Sequence, residues 1–156
     1  MRILVVAAGN RQPTWIDDGF SDYARRLRGS CTLELVEISL GRRPKSGSSD
    51  KAQKEESARM LRVVPKAAHV VALTVEGRLR STEQLADRLQ HWMTLGTSVA
   101  LLVGGPDGLS AECESLAAET WSLSPLTFPH GLVRVILAES LYRSWSLLKG
   151  HPYHRN

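Results

Sequence analysis

A chain of 156 residues with 42% hydrophobic content fits one compact domain and leaves little room for a second, so a single fold over residues 1–156 is expected to carry both binding and chemistry. Its formal net charge of +4 favours a polyanionic partner. The opening MRILVVAAG lacks the length and cleavage pattern of a signal peptide, and no run of roughly 18 apolar residues follows, which argues against secretion and a membrane span and for a cytoplasmic protein.

Apolar segments rich in β-branched residues alternate with amphipathic ones, the pattern of βαβ units and a mainly parallel sheet, so the fold class is α/β. Residues 2–8 read as a strand. Ile16, Phe20, Ala24 and Leu27 then recur at helical spacing until Gly29. Residues 32–39 form a second strand. Residues 39–50, SLGRRPKSGSSD, hold glycine, proline, serine and three basic residues and cannot make an amphipathic element; they read as a mobile basic loop. A charged helix over residues 50–64 ends at Pro65, and residues 68–75 form a buried strand. Ser81 and Gln84 have capping-box spacing ahead of a helix that carries Leu85, Leu89, Trp92 and Met93 on one face and stops at Gly96. Residues 99–103 are a continuous apolar strand running into GGPDG, a short helix covers residues 110–118, and TWSLS follows. The last helix spans residues 132–149, with Val133, Ile136, Leu137, Leu141 and Leu148 as its apolar stripe and Gly150 as its stop.

Three constellations stand out. VGGPDG, residues 103–108, lies at the carboxyl end of a strand, where ligands bind in parallel sheets, and its glycines let a backbone approach a ligand closely; the same residues also suit an ordinary turn. Neither this segment nor AAGNRQ has dinucleotide-fingerprint or phosphate-loop spacing. Residues 123–131 carry Pro125, Pro129 and Gly131 in an irregular connection whose free backbone groups can serve a ligand, with His130 just ahead of a helix bearing Arg134, Glu139 and Arg143. Glu139 and Arg143, four apart, equally suit a surface ion pair. The tail HPYHRN places His151, Tyr153, His154 and Arg155 together, a set suited to stacking on a base and pairing with phosphate, or to a frayed terminus. His130, His151 and His154 lack the further ligands of an obvious metal set, and no metal is expected. Cys31 and Cys113 show no metal spacing and are expected to be reduced.

Taken together, VGGPDGLS, WSLSPLTFPHGLVRVILAESLYRSWSLLKGHPYHR and the early arrangement from Gly19 to Arg26 closely resemble the ribosomal RNA large subunit methyltransferase H family of the SPOUT superfamily, over nearly the whole chain. The resemblance implies a parallel sheet flanked by helices with a C-terminal trefoil knot, acting as a homodimer. The implied activity is transfer of a methyl group from S-adenosyl-L-methionine, leaving S-adenosyl-L-homocysteine, to ring nitrogen 3 of a pseudouridine in a 23S rRNA stem-loop, with the assembled ribosome as substrate. Carried over by motif, Leu73, Gly104, Leu123, Ser124, Pro125, Leu126, Thr127 and Phe128 would form the cofactor pocket. The tail bearing Tyr153, His154 and Arg155 would complete the RNA side. Arg25, Arg26, Arg28, Arg42, Arg43 and Arg143 become candidate RNA contacts, which position a duplex without reading its sequence.

Methyl transfer is an in-line displacement at carbon, so alignment and exclusion of water dominate. The target nitrogen carries a proton in neutral pseudouridine, and an imidazole, His154 or His130, is the candidate that removes it, with Tyr153 and Arg155 holding the base and its phosphate. Arg155 is expected to act in trans, at the other subunit's pocket. The competing readings are a non-catalytic ribosome-binding factor, a transfer-RNA methyltransferase and a metal-dependent hydrolase built on the three histidines.

Overall fold

The strands Arg2–Ala8 (β1), Thr32–Ile38 (β2), His69–Leu79 (β3), Val99–Val103 (β4) and Glu119–Ser122 (β5) form one parallel sheet in the order β2-β1-β4-β3-β5. This is a computed structural model, and it describes residues 1–27 and 29–155; Arg28 lies outside the described residues. Between the strands run the helices Thr14–Arg26 (α1), Asp50–Val63 (α2), Thr82–Thr94 (α3), Ala111–Leu116 (α4) and His130–Leu148 (α5).

The central strands β1 and β4 are apolar throughout their buried length because helices cover both faces of the sheet. Alternation sorts them. Ile3, Val5, Ala7, Leu101 and Val103 pack with Phe20 of α1, Leu89 and Trp92 of α3, and Leu137 and Leu141 of α5. Leu4, Val6, Ala8, Ala100 and Leu102 face the other way, onto Met60 of α2 and Cys113 of α4. Helix α5 is wedged between α1 and α3 on the first face. Cys31 and Cys113 are free and buried, and burial pushes the Cys31 thiol up to about 11.

The α3 start follows its sequence signal: Ser81 Oγ accepts from the Gln84 N–H (3.2 Å) and Gln84 Oε1 accepts from the Ser81 N–H (3.0 Å). Gly96 closes that helix region with φ +68°. Three elements differ from expectation. Helix α5 begins at His130 rather than at residue 132, since Pro129, with φ −53°, leads straight into the first turn. Its covering is also broader than one stripe: no residue from 131 to 148 is exposed, and Arg134, Ser144 and Ser146 are buried with the apolar positions. Strand β3 runs on to Leu79 instead of ending near Val75. It pairs with β5 twice, first through Leu73 opposite Trp121 and again through Arg78 opposite Trp121, so residues 74–77 swing out between the two pairings. Gly77 permits this, because a Cβ there would lie 2.6 Å from the Trp121 carbonyl carbon.

At the opposite end of β5, Glu119 gathers four side chains. His69 Nε2 (2.7 Å), Arg80 Nη2 (2.9 Å), Arg88 Nε (3.1 Å) and Trp92 Nε1 (3.0 Å) all meet its carboxylate. Edge strand β5 is thereby tied both to β3 and to α3.

Candidate cofactor pocket

At the carboxyl ends of β3, β4 and β5 three connections converge on a cavity of about 550 Å³. One wall is the swung-out segment of β3, with Leu73, Thr74, Val75 and Glu76. A second is the glycine loop from Val103 to Leu109, and the third is the connection from Trp121 to His130, continued by Val133 of α5. The volume is that of a small-molecule site, which typically spans about 300–1,000 Å³. Its walls are mixed: Leu73, Val103, Leu123, Phe128 and Val133 supply apolar surface, Ser124 and Thr127 hydroxyls, Glu76 and Glu114 negative charge. Val75 and Leu126, at 65% and 70% exposure, leave apolar side chains on these walls facing solvent.

Of the positions expected to build the pocket, Leu73, Gly104, Leu123, Ser124, Leu126, Thr127 and Phe128 line it, and Pro125 does not; Pro125 is exposed. Asp107, within VGGPDG, lines it too, and so do Thr74, Val75, Glu76 and Trp121, each in or beside the end of a strand, and Glu114 of α4. Gly104 is there for space: a Cβ would come 2.7 Å from the Leu109 nitrogen. The connection before α5 is held by its own serines, with Leu126 N–H donating to Ser124 Oγ (3.0 Å) and Ser122 Oγ donating to the Ser124 carbonyl (3.2 Å). Among the described residues no turn or cap bond uses the amides of Thr127 or Phe128. These amides are available to a ligand.

His130 lines the same cavity, and among the described residues no hydrogen bond engages its ring. One turn further along α5, Arg134 is fully buried. Its Nη1 pairs with Glu37 Oε2 (2.6 Å) and its Nη2 donates to the carbonyls of Ala8 (3.1 Å) and Gly9. The start of α5 is therefore pinned to the carboxyl ends of β1 and β2, which fixes where His130 stands.

The tail lies elsewhere. Pro152–Arg155 forms a 3-10 helix packed on α5, and none of residues 151–155 lines the cavity. Tyr153 Oη donates to Glu139 Oε1 (3.2 Å) and lies 3.5 Å from the Tyr23 hydroxyl, while its ring rests 4.7 Å from that of Tyr142. Burial, and then the Tyr23 contact, push the Tyr153 phenol well above its ordinary range. His154 Nδ1 meets the His151 carbonyl at 2.5 Å, so that nitrogen is the donor, and among the described residues no hydrogen bond engages Nε2. Among the described residues no group of three His, Cys, Asp or Glu is placed to hold a metal.

The basic side chains divide. Arg25 and Arg42 are exposed, Arg25 lying 3.9 Å from Asp22. Arg26 pairs with Asp22 (2.5 Å) and sits over the rings of Tyr23 and Tyr142, and Arg143 pairs with Glu139 (2.6 Å) and covers Tyr153. Arg26 and Arg143 thus join the tail in one aromatic and cationic cluster on α1 and α5. Arg43 points inward, its Nη1 2.7 Å from Glu56 Oε1 and its Nε 2.8 Å from Asp107 Oδ2. Residues 39–50 are consequently anchored at their centre, where mobility was expected. The burial of Glu56 was legible in part, since Ala52, Glu56 and Met60, four apart, share the covered face of α2.

A family model described as Predicted SPOUT methyltransferase matches residues 1–154. The fold agrees with this: the chain is similar to a probable methylase family protein from Haemophilus influenzae at 12% identity and TM-score 0.54, covering 99% of this chain and 70% of that one. A structure concerned with 2-OH methylation of C/U34 on tRNA matches at 16% identity and TM-score 0.50, covering 93% and 91%. Fold and sequence together define a SPOUT methyltransferase.

Over 155 residues the chain is 52% identical to the ribosomal RNA large subunit methyltransferase H of Thioalkalivibrio sulfidiphilus and 54% identical to that of Alkalilimnicola ehrlichii, in each case covering 99% of both chains. The chain belongs to the ribosomal RNA large subunit methyltransferase H family. No helix among the described residues is long and apolar enough to cross a membrane.

Proposed function

We propose that the protein is a single-domain methyltransferase of the cytoplasm that uses S-adenosyl-L-methionine to methylate ring nitrogen 3 of a pseudouridine in a 23S rRNA stem-loop, acting as a homodimer on the assembled ribosome. The observation that carries this reading is the cavity formed at the ends of β3, β4 and β5 by Leu73, the Gly104 loop and residues 123–128, in a chain of this family. Its donor set suits the cofactor. Leu73, Leu123 and Phe128 offer apolar surface to a planar base, the free amides of Thr127 and Phe128 offer donors, and Glu76 and Glu114 favour a cationic ligand. The bound cofactor supplies an electrophilic methyl group. The trefoil knot belongs to the same reading.

The protein's tasks are alignment, exclusion of water and removal of one proton. His130, on the cavity wall with its ring unengaged, and His154, with Nε2 open, are the two candidate bases. Tyr153 and Arg155 hold the target base and its phosphate, and the cationic surface from Arg25, Arg26, Arg42 and Arg143 meets the RNA backbone. Because the tail packs away from its own chain's cavity, a second copy completes the site, with Arg155 reaching across in trans.

Transfer of label from methyl-labelled S-adenosylmethionine to ribosomes lacking the modification tests the reaction, with free rRNA in parallel. Label on one pseudouridine of large-subunit rRNA in whole ribosomes is expected; cofactor binding with no label would refute the assigned substrate. Heterodimers of a tail-deleted chain with a pocket-defective chain should recover activity, and inactivity of verified heterodimers would refute the trans arrangement.

A further inference from the structure

The glycine loop of residues 103–109 has little to hold its own shape. Its internal turn bond runs from the Gly108 N–H to the Gly105 carbonyl (3.0 Å), and three of its seven residues are glycine. Ordering such a segment carries a conformational-entropy cost at every residue, so what grips it from outside sets how well it is formed before a ligand arrives.

That grip comes from α2 and the connection ahead of it. Glu56, 2% exposed, accepts from the Gly41 N–H (2.8 Å) and from both Nη atoms of Arg43 (2.7 and 3.3 Å). With two of its nitrogens on this buried carboxylate, the Arg43 guanidinium uses its third, Nε, on Asp107 Oδ2 (2.8 Å). The Asp107 carboxyl is held below its usual range by Arg43 and then by Ser49. Gln53 Nε2 donates to the carbonyls of Asp107 (2.8 Å) and Leu109 (3.1 Å). Contact is also close beneath the loop, since a Cβ at Gly105 would stand 3.1 Å from Glu56 Oε2.

We propose that Arg43, oriented by Glu56, is a positioning residue for the cofactor pocket: through Asp107 it holds the Gly104 loop in the shape that lines the cavity. The proposal rests on reading that cavity as the S-adenosylmethionine site. Arg43 therefore acts inside the protein, while its neighbour Arg42 faces solvent.

Calorimetric titration of the full chain with S-adenosylmethionine, paired with thermal unfolding, tests it. If the ungripped loop is competent a tenth to a fifth of the time, Arg43→Gln and Asp107→Ala each weaken binding about five- to tenfold. The double variant then binds no more weakly than the worse single one, because both remove the same link. Asp107 is exposed, so its variant keeps a melting temperature near that of the unaltered protein and separates positioning from folding. Arg2→Gln, which removes a surface pair with Glu34 far from the cavity, leaves affinity unchanged. Unaltered affinity in Asp107→Ala, or additive losses in the double variant, would overturn the proposal alone. Failure of the unaltered protein to bind the cofactor would overturn the pocket reading and the proposal with it.

Discussion

Replacing Glu119 by Gln keeps the shape of the side chain and removes its charge, leaving Arg80, Arg88 and His69 around a neutral amide. Burial pushes this carboxyl up, but the hydrogen bonds from Arg88, Trp92 and His69 outweigh burial and bring it down from 4.5 to about 2. At ~1.4 kcal/mol per pH unit, that difference corresponds to roughly 3 kcal/mol. The carboxylate is 12% exposed at the rim of the sheet, and solvent screening reduces the figure to about 2 kcal/mol. A group whose folded value is depressed contributes its full stability above its unfolded value and loses it as pH falls toward the folded one. The contribution is thus complete at pH 7, begins to fall near pH 4.5 and is gone near pH 2. Urea unfolding followed by circular dichroism at pH 7 should place the Glu119→Gln midpoint about 1 M lower, for a slope of ~2 kcal/mol per M. The gap to the unaltered protein should narrow as pH drops through 4, because a protonated Glu and a Gln are both neutral. Equal midpoints at pH 7, or a gap that stays constant down to pH 3, would refute the assignment of Glu119 as the charge that secures β5.

Arg134→Met leaves Glu37 and the carbonyls of Ala8 and Gly9 without their buried donor, and thermal unfolding should report a loss of about 3–5 kcal/mol. Gly104→Ala puts a methyl group against the Leu109 backbone, so calorimetry should find S-adenosylmethionine binding weakened at least tenfold, from displacement of the loop. Tyr153→Phe removes the bond to Glu139 and should cost about 1 kcal/mol by chemical denaturation. Since Tyr153 is assigned to the target base and not to the cofactor, the same variant should lose methyl transfer while cofactor affinity measured by calorimetry stays unchanged.

Much of the sheet is legible because β1 and β4 are buried on both faces and therefore read as unbroken apolar runs, while the α3 cap advertises itself through Ser81 and Gln84. What escaped depends on partners distant in sequence. Strand β3 reads as ending at Val75, since its second pairing needs Trp121, some way along the chain, and Gly77 reads locally as a break. Residues 39–50 look unconstrained because their anchors, Glu56 and Asp107, belong to other elements. Arg134 gives no sign of burial among the charges of α5; its partners, the Ala8 and Gly9 carbonyls and Glu37, all lie far away in sequence. For the pocket, the motif residues lie on all three walls, with Leu73 alone on the one that the β3 excursion extends through Thr74, Val75 and Glu76.

The walls of the cavity have an order in time as well as in space. They are taken from residues 73–76, 103–109 and 121–133, and α5 is wedged between α1 and α3 only after both of those have been made. A chain leaving the ribosome N-terminus first can pair β1 with β2 early, but it cannot close this hollow until residues 121–133 are free. By mass action, a ligand held in the hollow would favour the completed fold over partly assembled ones.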